Sequence, residues 1–199
     1  VKINSGGETG DVTASVDYEI TPATMTVTAS DVNTVYDGNS HGITVNVTDP
    51  AIGYTISYGQ TGGTYDQSES PTITDVANSP LTVYYEVTAD NYAAYTGSAT
   101  VTITNATQDA PAAPTKDSET FTSITLTPVG GLEYSIDGTT WQESNEFTGL
   151  SSGTEYTFYQ RRKAYDNHDP SPASTGATFS TRTHTHNYIY SGSGANITA

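Results

Sequence analysis

Apolar and polar residues alternate along most of the chain in short runs, as expected for antiparallel strands with one buried face. The clearest run is residues 81–89, whose odd positions are predicted to face a core and whose even positions, Tyr84 among them, are predicted to face solvent. Ile73 and Val76 are assigned to a short strand. Shorter alternating runs lie at residues 25–29, 43–47, 54–58 and 99–103. Turn residues separate the runs about every dozen positions, which favours an all-β sandwich.

The same alternation returns at residues 123–127 and 132–136. Asp137 and Gly138 follow the second run, and Asp-Gly between strands predicts a two-residue type I′ hairpin. Phe147 and Leu150 are expected to pack on this hairpin. Residues 177–181 are predicted to supply the last strand of this half.

The run that begins at Tyr156 leaves two alternatives open. If Tyr156 and Phe158 face inward, strict alternation also sends Gln160 and Arg162 inward. Either a bulge flips the register, or the apolar core ends after Phe158.

Residues 106–115 contain two prolines and no large apolar residue, so they are predicted to form a semi-stiff, extended connector between two β modules. The predicted fold is therefore two tandem antiparallel β-sandwiches. The predicted divisions are residues 1–20 as the terminal strand of a preceding repeat, 21–107 as the first module, 108–115 as the linker, 110–183 as the second module, and 184–199 as a tail or the start of a further module.

The prediction of a preceding repeat depends on an internal similarity. Residues 20–24 are Ile-Thr-Pro-Ala-Thr and residues 103–107 are Ile-Thr-Asn-Ala-Thr, and each follows an alternating run that itself follows a Thr-Gly pair. The offset between the two stretches is about the size of one small sandwich domain. Chance similarity in a threonine-rich chain is the alternative.

The charge is strongly negative, with 6 Lys and Arg against 22 Asp and Glu, and a formal net charge of −16. Nucleic acid would be repelled, so it is excluded as a partner. Residues 3–115 contain no Lys or Arg, and folding there must rest on apolar burial and backbone hydrogen bonds. No apolar run approaches the ~18 residues of a membrane helix. We therefore expect no membrane insertion in this segment, and we expect a monomer.

Three stretches of the first module share a further pattern, namely Val35-Tyr36-Asp37-Gly38, residues 83–92 and residues 95–103. They resemble the "YDG"-bearing repeats of bacterial surface proteins, which are immunoglobulin-like or MBG-type modules of Gram-positive bacteria. The resemblance covers residues 20–107. It implies a tandem, exported repeat of adhesin-like proteins, located at the bacterial cell surface or cell wall, and it implies no catalytic residue.

Residues 149–158 resemble the E–F corner of fibronectin type III modules, because Leu150 precedes a Gly-Thr-x-Tyr strand that ends in Tyr156. In that fold the tyrosine hydroxyl hydrogen-bonds back to the loop, an arrangement called the tyrosine corner. The likeness covers residues 110–181 and implies a fibronectin type III-like module. The module is short for this fold.

No residue is assigned a catalytic, cofactor-binding or metal-binding role. His184 and His186 would share a face of a strand, but no third metal ligand is evident nearby. His41 and His168 lie in turn-like sequence without a nucleophile motif. No cofactor is expected.

Three weaker motifs suggest either a structural feature or a chemistry that few proteins contain. The spacing of Asp31, Asn33 and Asp37 fails the EF-hand pattern, although a different calcium site among the acidic loops is an open alternative. Residues 135–141 resemble the Asp box of sialidase propellers with one residue missing, a motif that is structural in that family. Lys116 or Lys163 could form an internal isopeptide bond, which an intact mass lower by one ammonia would reveal.

The leading hypothesis is a non-catalytic spacer or adhesion segment of an exported bacterial cell-surface protein, whose partners are neighbouring repeats of the same chain. One alternative is a module that binds a host glycan or protein through exposed aromatic residues, and another is an ancillary part of an exported enzyme. Rigid aromatic rings give contact area at low entropic cost. The candidate ligand surface comprises Tyr54, Tyr58, Tyr65, Tyr84, Tyr92, Tyr95 and Trp141.

Overall fold

A computed structural model describes residues 18–185, and the fold over this range is all-β, as predicted. The described range has one helical element, a short 3-10 turn at Val76–Asn78, and no helix long and apolar enough to cross a membrane. The strands are β1 (Thr26–Ala29), β2 (Val32–Val35), β3 (His41–Gly42), β4 (Val45–Asp49), β5 (Tyr54–Gly59), β6 (Thr72–Ile73), β7 (Leu81–Ala89), β8 (Tyr95–Thr104), β9 (Lys116–Glu119), β10 (Ser123–Leu126), β11 (Leu132–Ser135), β12 (Glu146–Thr148), β13 (Glu155–Arg162) and β14 (Ala177–Ser180).

The chain divides into two compact units. Among the described residues, unit 1 comprises the chain up to Val32 together with Ser40–Ile73 and Pro80–Val101. Unit 2 comprises Asn33–Asn39, Thr74–Ser79 and the chain from Thr102 onward. Two short segments of the first sequence half therefore cluster with the second half. The module boundaries proposed from the sequence stay predictions.

Unit 1 is built from antiparallel strand pairs. β1 pairs with β4 and β3 with β6, while β7 pairs with β5 on one side and with β8 on the other. Along β7 the side chains of Val83, Tyr85 and Val87 are buried, which confirms the predicted inner face of this strand. Val45 and Val47 of β4 are buried as well.

The outer face of β7 departs from the prediction, because Thr82, Tyr84 and Glu86 are half-buried and Thr88 alone of the four outer residues is exposed. The largest of these side chains is that of Tyr84. The loop after β5 covers it, since a Cβ at Gly62 would lie 3.3 Å from the Tyr84 ring. On the opposite face, a Cβ at Gly97 would lie 2.5 Å from the Tyr85 hydroxyl, so β8 requires glycine where this ring crosses it. Long loops that fold back on a sheet carry no alternation in sequence, which explains the miss.

Unit 2 contains a sandwich of two three-stranded sheets, ordered β12-β10-β9 and β11-β13-β14. Their inner residues form one apolar cluster, in which Phe147 of β12 meets Phe158 of β13 with ring centroids 4.9 Å apart. Tilted aromatic pairs of this kind add about 0.5–1.5 kcal/mol beyond the area that they bury. The other buried members of the cluster are Ile124, Leu126, Leu132 and Tyr134.

The register of β13 settles the two alternatives left by the sequence. β13 pairs with β11 and β14 without an irregularity, so no bulge flips it. Gln160 is buried, as strict alternation requires, and its side-chain amide donates a hydrogen bond to the carbonyl of Ala112. Arg162 is exposed. The apolar core thus ends after Phe158, and a polar contact with residues 106–115 takes its place.

The chain reverses direction at Asp137 and Gly138 as predicted, because Tyr134 and Gln142 exchange both backbone hydrogen bonds in an antiparallel bridge. The predicted two-residue type I′ turn is wrong, because the bridge encloses a longer loop and Gly138 alone of the two residues has positive φ, at 74°. The carboxylate of Asp137 instead accepts hydrogen bonds from the backbone N–H groups of Thr139 and Thr140, which hold its pKa far below the usual range. When a side chain accepts hydrogen bonds from nearby backbone N–H groups, it can stabilise a longer loop in place of a tight turn.

The tyrosine corner is present. The hydroxyl of Tyr156 accepts a hydrogen bond from the backbone N–H of Ser151 at 2.9 Å, which ties β13 to the loop that precedes it. This contact and the strand order support the fibronectin type III-like description of unit 2.

We predict that Tyr156→Phe lowers the free energy of unfolding of unit 2 by about 1 kcal/mol, the typical net value of one hydrogen bond. Trp141 is the chain's one tryptophan and lies in unit 2, so its fluorescence during denaturant unfolding reports on this unit. Tyr159→Phe on the same strand is the control, because the Tyr159 hydroxyl makes no hydrogen bond to residues 18–185. Equal stability changes in the two variants would contradict the prediction.

Candidate functional site

The turn at residues 165–168 of unit 2 is the centre of a dense hydrogen-bond cluster. The N–H of His168 donates to the carbonyl of Tyr165 at 2.8 Å, which closes the turn, and Asp166 adopts positive φ within it. The N–H of Ala106 donates to the carbonyl of Asn167, and the N–H of Asp169 donates to the carbonyl of Ala106. The turn and the start of the 106–115 segment are therefore paired through their backbones.

The side chain of Asn167 extends the cluster to a distant part of the sequence. Its Oδ1 accepts a hydrogen bond from the N–H of Val76 at 2.8 Å, and its Nδ2 donates to Oδ1 of Asp75 at 2.8 Å. Asn167 is only 8% exposed. Val76 was predicted to lie in a strand, but it begins the 3-10 turn. One amide group thus joins segments that lie more than ninety positions apart.

Aromatic rings pack around the same turn. The imidazole of His168 stacks on the ring of Tyr165 with centroids 4.5 Å apart, and the ring of Tyr36 meets it edge-on at 5.5 Å. Tyr36 belongs to the Tyr-Asp-Gly stretch that carried the resemblance to surface repeats. His168 therefore has a packing position in the cluster.

Side-chain amides also hold the segment that was predicted to be a linker. Nε2 of Gln108 donates to the carbonyls of Lys163 and Asp169, at 2.8 Å and 2.7 Å. Nδ2 of Asn105 donates to the carboxylate of Asp169, and Nε of Arg162 donates to the carbonyl of Asp109. The segment forms no regular strand, yet its backbone is fixed at several points.

An open cleft of about 600 Å³ borders this cluster within unit 2. Its polar lining consists of Tyr36, Asp75, Asn78, Asn105, Asp166 and Asn167. In the described part of the chain, no group of three His, Asp or Glu side chains is placed to hold a metal ion. The chemistry that the cleft offers is hydrogen bonding by amides and carboxylates.

The seven aromatic residues proposed as a ligand surface are not brought together in one place. Tyr58 and Tyr95 share the inner face of their sheet, because they pair across from Tyr85 and Val87, both of which are buried. Tyr54 lies on the same face at the start of β5. Burial raises the pKa of the Tyr58 hydroxyl.

The other four residues of that set lie elsewhere. Tyr84 is on the outer face under the loop that contains Tyr65, and Tyr92 lies in the turn between β7 and β8. The Tyr92 hydroxyl donates to the Asp49 carboxylate, and this hydrogen bond raises its pKa. Trp141 belongs to unit 2, where the guanidinium of Arg161 covers its ring at 4.3 Å. Their role in ligand binding stays a prediction.

The remaining candidates have local partners. His41 lies in β3 opposite Ile73, and the ring of His184 contacts Phe121, while His186 lies outside the described residues. Asp31 accepts a hydrogen bond from the N–H of Thr100.

Both lysines proposed for an isopeptide bond form ion pairs. Lys116 pairs with Glu119 at 2.8 Å and Lys163 pairs with Glu143, and each lysine lowers the pKa of its glutamate.

The sequence pattern does not mark Asn167, because a single polar residue in a loop carries no periodic signal. One signal was available. The pair Asp-Asn followed by an aromatic ring occurs twice, at residues 90–92 and at residues 166–168.

No protein-family model and no curated protein matches the chain. It is similar to a crystal structure of domains A168-A170 from titin, at 11% identity and a TM-score of 0.30, over 74% of this chain and 61% of that chain. It is also similar to a crystal structure of chicken CNTN1 FN1-FN3 domains, at 14% identity and a TM-score of 0.27, over 81% and 65%. The chain thus spans less than two thirds of either. TM-scores this low do not establish a shared fold, so the fold is assigned from the strand pairing of this chain alone.

We predict that Asn167→Asp loosens the cluster at neutral pH and much less at acidic pH. The substitution keeps an acceptor for the Val76 N–H but places a carboxyl beside Asp75, and like charges raise the pKa of the introduced group. A raised folded pKa means that stability is retained below the unfolded value of about 4 and is lost as pH rises through the folded value. The expected cost at neutral pH is about 1–3 kcal/mol.

Amide hydrogen exchange at Val76, expressed at pH 7 and at pH 3.5 as the rate relative to the unchanged protein at the same pH, checks this prediction. Asn145→Asp is the control for adding a carboxylate to unit 2 at a distance from Asp75. A relative acceleration of exchange at Val76 that is equal at both pH values would contradict the electrostatic explanation.

Proposed function

We propose that this chain is a non-catalytic spacer segment of an exported bacterial cell-surface protein, built from tandem immunoglobulin-like and fibronectin type III-like modules. The observation that carries the proposal is the Asn167 cluster. A spacer must hold its length, and this requires that the chain between predicted modules be fixed rather than free.

Several features support this role. Four backbone groups of residues 106–115 form hydrogen bonds with β13 or with residues 165–169. They are the N–H and the carbonyl of Ala106 and the carbonyls of Asp109 and Ala112. Gln108 adds two bonds through its own side chain. Each contact is worth about 0.5–1.5 kcal/mol. Taken together they oppose the motion that a proline-containing tether alone would allow.

The charge and composition fit the proposed location. A net charge of −16 keeps a long array of modules soluble and apart from other polyanions. The absence of Cys removes any dependence on the redox state of the compartment. The resemblance of Tyr36-Asp37-Gly38 and its following strands to surface repeats supplies the proposed bacterial cell-surface location.

The alternative of glycan or host-protein binding through aromatic side chains has less support. The candidate tyrosines lie on two faces of one sheet and in two loops, and Trp141 lies in another unit under Arg161. Glycan-binding surfaces use rings that form a continuous exposed patch. The spacer proposal is therefore the better supported of the two.

We predict that the protein is labelled on intact, unpermeabilised cells of the organism that encodes it by an antibody raised against this chain. Labelling that requires permeabilisation would reject the cell-surface location. An antibody against a cytoplasmic protein of the same cells is the control.

We also predict a narrow distance distribution between spin labels placed at Asn78→Cys and Thr148→Cys, two exposed positions of unit 2. The chain has no native Cys, so the labels are unique. Double electron–electron resonance should show broadening in Asn167→Ala, because both hydrogen bonds to residues 75 and 76 are lost. Glu155→Gln, at an exposed position of β13, is the matched control. A distribution that is already broad in the unchanged protein would reject the spacer role.

A further inference from the structure

A second turn in the chain has the same hydrogen-bond pattern as the turn of the Asn167 cluster. In unit 1 the N–H of Tyr92 donates to the carbonyl of Ala89, just as the N–H of His168 donates to the carbonyl of Tyr165 in unit 2. The sequences are Ala-Asp-Asn-Tyr and Tyr-Asp-Asn-His. Each turn follows a long central strand, β7 in one case and β13 in the other.

The segments that pair with these two turns are also equivalent. The N–H of Ala23 donates to the carbonyl of Asn91, and the N–H of Ala93 donates to the carbonyl of Ala23. Ala106 makes the same two bonds with Asn167 and Asp169, and both contacts are parallel bridges. Ala23 and Ala106 occupy the same place in Ile-Thr-Pro-Ala-Thr and Ile-Thr-Asn-Ala-Thr. Chance similarity of composition does not explain why the two alanines pair identically.

The turns at residues 89–92 and 165–168 differ in the side chains that cover them. At the second turn, the Asn167 side chain binds Asp75 and Val76, and Tyr36 packs on the ring that follows. At the first turn, Asn91 is exposed. The residues just before each alanine show the same contrast, because Ile103 is 2% exposed whereas Ile20 is 93% exposed. Likewise, Val101 is fully buried and its counterpart Tyr18 is 87% exposed.

We propose that the turn at residues 89–92, together with Ala23, is a docking site for another module of the type formed by residues 21–107. The docked module would present its own equivalents of Tyr36 and of Asp75-Val76 to Asn91 and Tyr92, as the chain already does at Asn167 and His168. Its core would cover Ile20. The inference rests on the proposed spacer function, and it names the partner and the residues through which modules join.

One difference between the turns bears on the contact. The residue with positive φ is Asn91 in the first turn, at 64°, and Asp166 in the second, at 39°. The carbonyls of Asn91 and Asn167 nevertheless make the same bond to the entering alanine. Both turns thus present the same backbone hydrogen-bonding groups to the entering alanine. Asn91→Gly is the informative variant, because glycine tolerates the positive φ while removing the side-chain amide.

The proposal is tested by lengthening the chain by one module. A second copy of residues 21–103 is inserted between Ile20 and Thr21, so that Ile103 of the copy is followed by Thr21 in the natural register. Thr28→Cys in each copy, at an exposed position of β1, supplies two spin labels. We expect a single narrow distance distribution, and at least a twofold increase in its width when Asn91→Gly and Tyr92→Ala are introduced in the downstream copy.

Ser98→Ala, at an exposed position of β8, is the matched control and should leave the width unchanged. A broad distribution that Asn91→Gly and Tyr92→Ala do not alter would overturn the proposal. That result would leave the cell-surface labelling experiment unaffected, so failure of the docking site and failure of the proposed function are distinguishable.

A second variant tests the same idea in a chain of natural length, should the longer chain not fold. Tyr165→Ala combined with His168→Tyr converts the second turn to the sequence Ala-Asp-Asn-Tyr of the first. If that sequence can hold a module, hydrogen exchange at the Val76 amide should stay within about twofold of the unchanged protein. Exchange as fast as in Asn167→Ala would overturn the proposal.

Discussion

The structure depends on hydrogen bonds that pair the backbone N–H and carbonyl groups of residues 106–115, a segment that belongs to no sheet. Residues 106–115 contain two prolines and cannot join a ladder along their length, so their carbonyls and amides need other partners. Gln108, Gln160 and Arg162 provide them, and the turn at Asn167 provides a two-bond backbone pairing with Ala106. The segment thereby behaves as part of unit 2 although it has no strand.

The amide side chains in this role follow from the charge of the chain. Residues 3–115 contain no Lys or Arg, so their carboxylates have no lysine or arginine partner within that stretch. The described ion pairs, such as Lys116–Glu119 and Arg161–Glu133, lie further along the chain. Asn and Gln can donate and accept at once, and they do so without adding charge to an acidic protein. Asn167 uses both capacities, one for the Val76 N–H and one for the Asp75 carboxylate.

The strands were predictable because alternation reports directly on which face is buried. The three central inner residues of β7 and the two inner residues of β10 are buried as the pattern predicted, and Tyr156 makes the corner contact that its Gly-Thr-x-Tyr context implied. The loops were not predictable in the same way. Asp137-Gly138 favours a tight turn by composition, yet the carboxylate of Asp137 caps the N–H groups of a longer loop. The Asn167 cluster joins residues from three distant stretches, and no local pattern encodes such a contact.

The proposed joint between modules is polar, and a polar joint has other consequences than an apolar one. An apolar contact between modules would leave a large exposed patch wherever a module lacks its neighbour, with a risk of aggregation. The turn Ala89–Tyr92 exposes the side-chain amide of Asn91, which water can satisfy, and the apolar cost is confined to a few side chains such as Ile20. A joint of the proposed kind would leave no large exposed apolar patch on a module that lacks its neighbour. In the proposed joint the backbone pairing of the alanine with the turn fixes the geometry, and the Asn and aromatic side chains of the turn supply the contacts with the neighbouring module.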